Sequence, residues 1–71
     1  MRTASFGEGQ GTVASFEKDR GLGEIIASDG HVYPFHCTAI ADGTRDIEVG
    51  KSVTFTVAAG HLGRLEATGI R

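Results

Sequence analysis

The sequence predicts an all-β fold, a single five-stranded antiparallel Greek-key barrel. Glycine is abundant, with 11 residues against one proline, and the glycines separate short runs rich in β-branched residues. Apolar residues alternate with threonines in one such run, at Val53, Phe55 and Val57, which is the period of a half-buried strand. No segment shows the sustained apolar period of a helix, so these observations together favour strands throughout.

Five runs carry the strand pattern, and residues typical of turns separate them. Arg20-Gly21 closes the first hairpin, and Asp29-Gly30 closes the second, because glycine accepts a positive φ without steric cost. A longer connection, residues 39–51, precedes the fourth run, which is the arrangement of a Greek-key barrel of the OB type. We predict strands at residues 11–18, 23–28, 32–37, 52–58 and 62–69.

The same alternation predicts the side chains that fill the barrel. Pro34 interrupts the third run, and because proline lacks a backbone N–H we expect it on an edge strand or at a position without a ladder hydrogen bond. The expected core residues are Val13, Ile25, Tyr33, Phe35, Ile40, Ile47, Val53, Phe55, Val57, Leu65 and Ile70.

Length and composition predict one small domain. Residues 1–10 contain glycines and no clear period, so we expect them to form a flexible arm, and residues 11–71 to form the domain. Cys37 is the one cysteine and cannot form a disulfide within the chain, which fits a reducing compartment. No apolar run approaches the roughly 20 residues of a membrane span, and the start does not resemble a signal peptide. We expect a cytoplasmic protein with no membrane contact.

Charge and spacing argue against several functions. The net charge of −2 opposes strong non-specific binding to nucleic acid, although a slightly acidic domain can carry one basic face. One cysteine and three scattered histidines do not have the spacing of a zinc site, and we expect the neighbours His36 and Cys37 to point to opposite faces of a strand. The glycine clusters lack the helix that a phosphate-binding loop requires. We therefore expect no catalytic residue, no metal and no cofactor.

Several segments, in the right order, match the motifs of one family. Residues 20–25, Arg-Gly-Leu-Gly-Glu-Ile, have the frame of the motif Lys-Gly-Phe-Gly-Phe-Ile. Residues 33–40, Tyr-Pro-Phe-His-Cys-Thr-Ala-Ile, have that of Val-Phe-Val-His-Phe-Ser-Ala-Ile. Residues 49–55 resemble the strand Glu-Gly-x-x-Val-x-Phe, and residues 60–63 a late Gly-x-x-Gly turn. From residue 11 to about residue 70, the chain resembles a divergent bacterial cold-shock protein.

This resemblance implies a barrel that binds single-stranded RNA or DNA by stacking bases on aromatic side chains, while cations hold the phosphates. Here much of that aromatic surface is replaced. Since stacking is worth roughly 1–3 kcal/mol per base, the losses lower the expected affinity by several orders of magnitude. Glu24 adds a carboxylate that repels phosphates. The replacements are Ala14 and Ser15 for Lys-Trp, Leu22 and Glu24 for the first motif's phenylalanines, Pro34 and Cys37 for those of the second, and Thr44 for a loop aromatic.

The leading hypothesis is weak binding of single-stranded RNA or DNA without strict sequence preference, and by resemblance a role as an RNA chaperone or a modulator of transcription or translation. Four of the contact residues have an alternative interpretation, because Phe16 can pack at the barrel rim, His36 can be an ordinary exposed histidine, and the two cations can be solvated charges. The expected contact residues are Phe16, Lys18, Arg20, Leu22, Pro34 and His36.

The competing hypothesis is a protein-interaction or small-ligand module on the same barrel, because fold does not fix function. This hypothesis is based on the mixed apolar and acidic character of the substituted surface. A third hypothesis is dimerisation through a sheet edge, although we expect a monomer. The substituted positions are Ser15, Leu22, Glu24, Pro34 and Cys37.

Overall fold

The computed structural model describes residues 5–41, 43, 45–60 and 64–71, and it forms one antiparallel sheet in the order β3-β2-β1-β4-β5. The fourth strand returns to lie beside the first, which is Greek-key order. The two ends of the sheet, β3 and β5, approach each other, and a parallel bridge joins Ile40 to Ile70, so the sheet closes almost completely into a barrel. The predicted all-β Greek-key barrel is confirmed. The strands are β1 Ser5–Glu17, β2 Leu22–Ala27, β3 Val32–His36, β4 Ser52–Ala59 and β5 Leu65–Thr68.

Strand β1 begins at Ser5 rather than at residue 11, and it pairs with two partners. Residues 5–12 pair with β4, whereas residues 11–17 pair with β2. The expected flexible arm is therefore wrong for residues 5–10, and residues 1–4 lie outside the described residues. Alternation gave no sign of this strand because its glycines carry no side chain. Gly9 lies close to the core, since a Cβ there would lie 3.1 Å from Cζ of Phe55 and would press on its ring.

The core follows the predicted alternation with one error. Leu65 is 43% exposed, because it begins β5 opposite Ala59, at the end of the strand pair, and Ala67 takes the inward position further along. Tyr33 and Ile47 are partly buried against the core. Ala27 and Ala67 are buried but were not predicted, because alanine contributes little to an apolar pattern. The other buried residues are Val13, Ile25, Phe35, Ile40, Val53, Phe55, Val57 and Ile70.

A β-bulge in β1 determines which side chains leave the sheet on its outer side. Val13 pairs with Ile25 and Ser15 pairs with Glu24, so Ala14 has no partner on β2. The loop before β4 anchors this point, because the Val13 N–H donates to the Lys51 carbonyl and its carbonyl accepts from the Gly50 N–H. After the bulge the alternation is shifted by one residue. Ser15 and Glu17 therefore lie exposed, and Phe16 lies on the core side.

Two cross-strand rows of exposed residues result, and we call them together the outer face. The first row is Glu17, Leu22 and His36, and the second is Ser15, Glu24 and Pro34. Pro34 lies on β3, the first strand in the order of the sheet, so the expectation of an edge strand is met.

No helix in the described part of the chain is long and apolar enough to cross a bilayer.

Candidate nucleic-acid interface

Three of the predicted contact residues come together on the outer face. Leu22 lies directly opposite His36, and Pro34 lies one row further along β3. Leu22 is 44% exposed, and Pro34 and His36 are exposed as well. A shallow depression of about 330 Å³ lies across this face. It is lined by Ser15, Glu17, Leu22, Gly23, Glu24, Pro34 and Phe35.

Phe16 lies on the core side of the sheet rather than on the outer face, and it packs against the core. Its ring is parallel to that of Phe35, with centroids 5.9 Å apart, and it is only partly exposed. The contacts of Phe16 therefore match the alternative in which its ring packs at the rim of the barrel.

His36 is held in one orientation by the chain that follows it. It caps a short 3-10 helix, Cys37–Ala39, and its Nδ1 accepts the backbone N–H of Thr38 at 3.3 Å. The same Nδ1 lies 3.0 Å from Oγ1 of Thr38. Since Nδ1 is the acceptor, the proton of the neutral ring lies on Nε2. His36 therefore presents a fixed ring and a directed N–H donor.

Cys37 lies close to His36, contrary to the expectation that the two side chains diverge. Sγ of Cys37 is 3.8 Å from Nδ1 of His36, because β3 ends at His36 and Cys37 begins the 3-10 helix. The Cys37 N–H donates to the Gly21 carbonyl at 2.7 Å, and a Cβ on Gly21 would lie 2.8 Å from Sγ. The half-buried thiol thus packs beneath the first turn. Among the described residues, no group of three or more side chains could hold a metal ion.

The two predicted cations are paired with carboxylates and lie in different directions. Nη1 of Arg20 is 3.5 Å from Oε1 of Glu17, beside the outer face. Nζ of Lys18 is 3.3 Å from Oδ2 of Asp46, in the loop before β4. Both pairs are largely exposed, and such pairs contribute about 0–1 kcal/mol, so each cation can exchange its partner for a phosphate. Thr44, which replaces the loop aromatic, lies outside the described residues.

Exposed apolar residues continue beyond the two rows of the outer face, which was not predicted from the sequence. Ile26 and Val32 lie opposite each other beyond the Glu24 row, and they are 46% and 51% exposed. Alternation along β2 could have found Ile26, because it shares its parity with Leu22 and Glu24. These two side chains extend the apolar surface that Leu22 and Pro34 begin.

Comparison with known families assigns this fold. A family model described as the 'Cold-shock' DNA-binding domain matches residues 9–71. A comparison with curated proteins found no match. The matched segment contains the whole outer face and covers most of the chain, and the domain is one that binds nucleic acid. The chain belongs to the cold-shock domain family.

Proposed function

We propose that this domain binds single-stranded RNA or DNA weakly and with low sequence specificity, through the outer face of β1–β3. In the cell it would act as an RNA chaperone or as a modulator of transcription or translation, in the cytoplasm. The observation that supports the proposal most is the adjacency of Leu22, Pro34 and His36 on one exposed surface. The sequence resemblance aligns these three residues with motif positions of the family.

The expected affinity is low because little of the surface is aromatic. The ring of His36 offers one face for stacking, and Leu22 and Pro34 offer apolar contact of smaller area. Each stacked base that is lost costs roughly 1–3 kcal/mol. Because every base has an apolar face, contacts of this kind discriminate little among bases.

Electrostatics also favour weak and salt-dependent binding. Arg20 is a cation beside the outer face, and the carboxylate of Glu17, 3.5 Å from its Nη1, competes with a phosphate for it. The net charge of −2 gives no general attraction to a polyanion. Binding is therefore expected at low salt. It should weaken only gradually as salt rises, because the slope of log affinity against log salt is proportional to the small number of phosphate contacts.

The test is a fluorescence-anisotropy titration of labelled thymidine and uridine heptamers at low salt. His36→Ala should lower the affinity about tenfold, because it removes the ring and its donor. The matched control is His31→Ala, since His31 is exposed in the turn after β2, where it pairs with Asp29. Equal effects of the two variants would argue against this interface. No binding at tens of micromolar protein would overturn the function.

A second candidate function is a protein-interaction module, and the exposed pair Ile26 and Val32 favours it. Apolar side chains that flank a carboxylate suit a partner with aliphatic and basic residues. Co-purification from lysate with and without nuclease distinguishes the two functions. A partner retained after nuclease treatment supports this candidate, and recovered RNA supports the first. Light scattering across protein concentration tests the expected monomer.

A further inference from the structure

Glu24 occupies the middle of the proposed binding surface. On one side it lies opposite Pro34 of β3, and on the other it lies opposite Ser15 of β1. Leu22 precedes it by two residues and shares its face. All four residues line the shallow depression of about 330 Å³, and Glu17 lines it as well. A base in this depression would have apolar walls and a carboxylate at its edge.

The carboxylate of Glu24 is available to a ligand. Within the described part of the chain it takes part in no hydrogen bond and no ion pair, whereas Glu17 is paired with Arg20. An ionised carboxylate only accepts hydrogen bonds, and it has two oxygens to do so. Glu24 therefore favours a base that presents donors and opposes one that presents carbonyl oxygens.

We propose that Glu24 selects guanine at one position of the bound strand. Guanine presents two adjacent donors, the N1–H and the N2 amino group, which match the two carboxylate oxygens. Adenine and cytosine present one amino group beside an acceptor nitrogen, and thymine and uracil present one N–H between two carbonyl oxygens. The expected order is guanine first, then adenine and cytosine, then thymine and uracil. These donors are occupied in a duplex, so the same contact favours single strands.

This inference rests on the proposed function and adds a base preference to it. A bidentate contact between a side chain and a base typically discriminates between bases by about fivefold to 150-fold in affinity, and we expect about tenfold because Glu24 is exposed to solvent. The preference applies to a single position, so the rest of the strand remains bound with low specificity.

The experiment compares labelled heptamers by anisotropy at low salt. One heptamer contains thymidine throughout, the second has one central deoxyguanosine, and the third has deoxyinosine there, which keeps the N1–H and lacks the amino group. We expect the guanosine heptamer to bind about tenfold more tightly than the thymidine heptamer, with the inosine heptamer between them. Glu24→Gln should bring the ratio of the first two affinities close to one.

The control is Glu8→Gln, which makes the same change of charge at an exposed position of β1 that pairs with β4. It should leave the guanosine-to-thymidine ratio unchanged, even if a general loss of repulsion raises both affinities. A wild-type ratio near one, or a ratio that Glu24→Gln does not alter, overturns guanine selection and leaves nucleic-acid binding standing. Absence of binding to every heptamer overturns both proposals. Circular dichroism of both variants confirms that the barrel is intact.

Discussion

The rings of Phe16 and Phe35 stack across Gly23, although β2 separates their strands. Gly23 pairs with Phe16 on one side and with Phe35 on the other, and the two ring centroids are only 5.9 Å apart. A Cβ on Gly23 would lie 2.5 Å from Cζ of Phe35 and 2.6 Å from the carbonyl oxygen of Ser15. The missing side chain of Gly23 therefore creates the space that joins the rim aromatic to the core.

Gly23→Ala should destabilise the barrel by about 2 kcal/mol, because the added methyl group overpacks this space. In an ordinary strand, replacing glycine by alanine is favourable for the backbone, so the sign of the effect is informative. Urea denaturation measures it. The control is Glu24→Ala at the next, exposed position, which should stay within about 0.5 kcal/mol of the wild type. A Gly23→Ala variant as stable as the wild type would contradict this account of the packing.

Phe16→Ala should lower the free energy of unfolding by about 2 kcal/mol, less than for a fully buried phenylalanine because the ring is partly exposed. Leu22→Ala, on the exposed outer face, should change stability by less than about 0.5 kcal/mol and still weaken oligonucleotide binding. Urea titrations and anisotropy on the same two variants separate these roles. If Phe16→Ala were neutral for stability and lowered affinity, the ring would serve the ligand alone.

The sequence predicted the fold class well because local chemistry specifies it. Turn residues such as Asp29 and Gly30 bound the strands, and alternation at Val53, Phe55 and Val57 reports which face is buried. Residues 5–10 show no alternation of apolar and polar side chains, because two of them are glycines. Their partner strand β4 is also distant in sequence. The strands were therefore predictable wherever apolar and polar side chains alternate along the sequence.

The candidate site was less predictable because its details depend on contacts between distant segments. The bulge at Ala14 is held by the backbone of Gly50 and Lys51, and it decides that Phe16 turns to the core side. Lys18 is paired with Asp46, 28 residues away in the sequence, and no local motif predicts this pair. The motif positions of Leu22 and His36 were recognisable, whereas the direction of their neighbours was not.

Restoring one aromatic side chain should strengthen binding. Leu22→Phe places a ring opposite His36 on the outer face, and a new stacking contact worth about 1 kcal/mol raises affinity about fivefold or more. The matched control is Leu65→Phe, because Leu65 has nearly the same exposure, 43% against 44%, and pairs with Ala59 on β4, outside the two rows of the outer face. Anisotropy with a thymidine heptamer provides the measurement. An equal gain in both variants would show that added aromatic area acts non-specifically.

The acid side of the stability profile should depend on Asp29. The backbone N–H of His31 donates to its carboxylate at 3.0 Å, and this bond, then the His31 side chain, lowers the pKa of Asp29 below its ordinary value. The pKa of Asp29 is lower in the folded protein than in the unfolded chain. Ionised Asp29 therefore stabilises the turn at pH values above its unfolded pKa of about 3.9. That contribution is lost as pH falls through the folded pKa. The carboxyl resonance of Asp29 should therefore titrate below the ordinary range.

Asp29→Asn supplies the stability test of the same linkage. The variant should be slightly less stable than the wild type near neutral pH, and the difference should shrink as pH falls through the folded pKa of Asp29, because the wild-type carboxyl is then protonated. Asp19→Asn, in the exposed first turn, controls for loss of a turn carboxylate. A difference that persists unchanged in acid would mean that the substitution acts through packing or backbone preference.

Glu17→Gln should release Arg20 toward phosphates. The two side chains form an exposed pair at 3.5 Å, so the variant removes a competitor of the phosphate and one repulsive charge from the outer face. Affinity for a thymidine heptamer should rise a few-fold, and the slope of log affinity against log salt should steepen by up to about one unit. Glu8→Gln makes the same charge change away from this face and should leave the slope unchanged. Because the slope counts phosphate contacts, it separates a freed Arg20 from a general loss of negative charge, and a slope identical in the two variants would place Arg20 outside the interface.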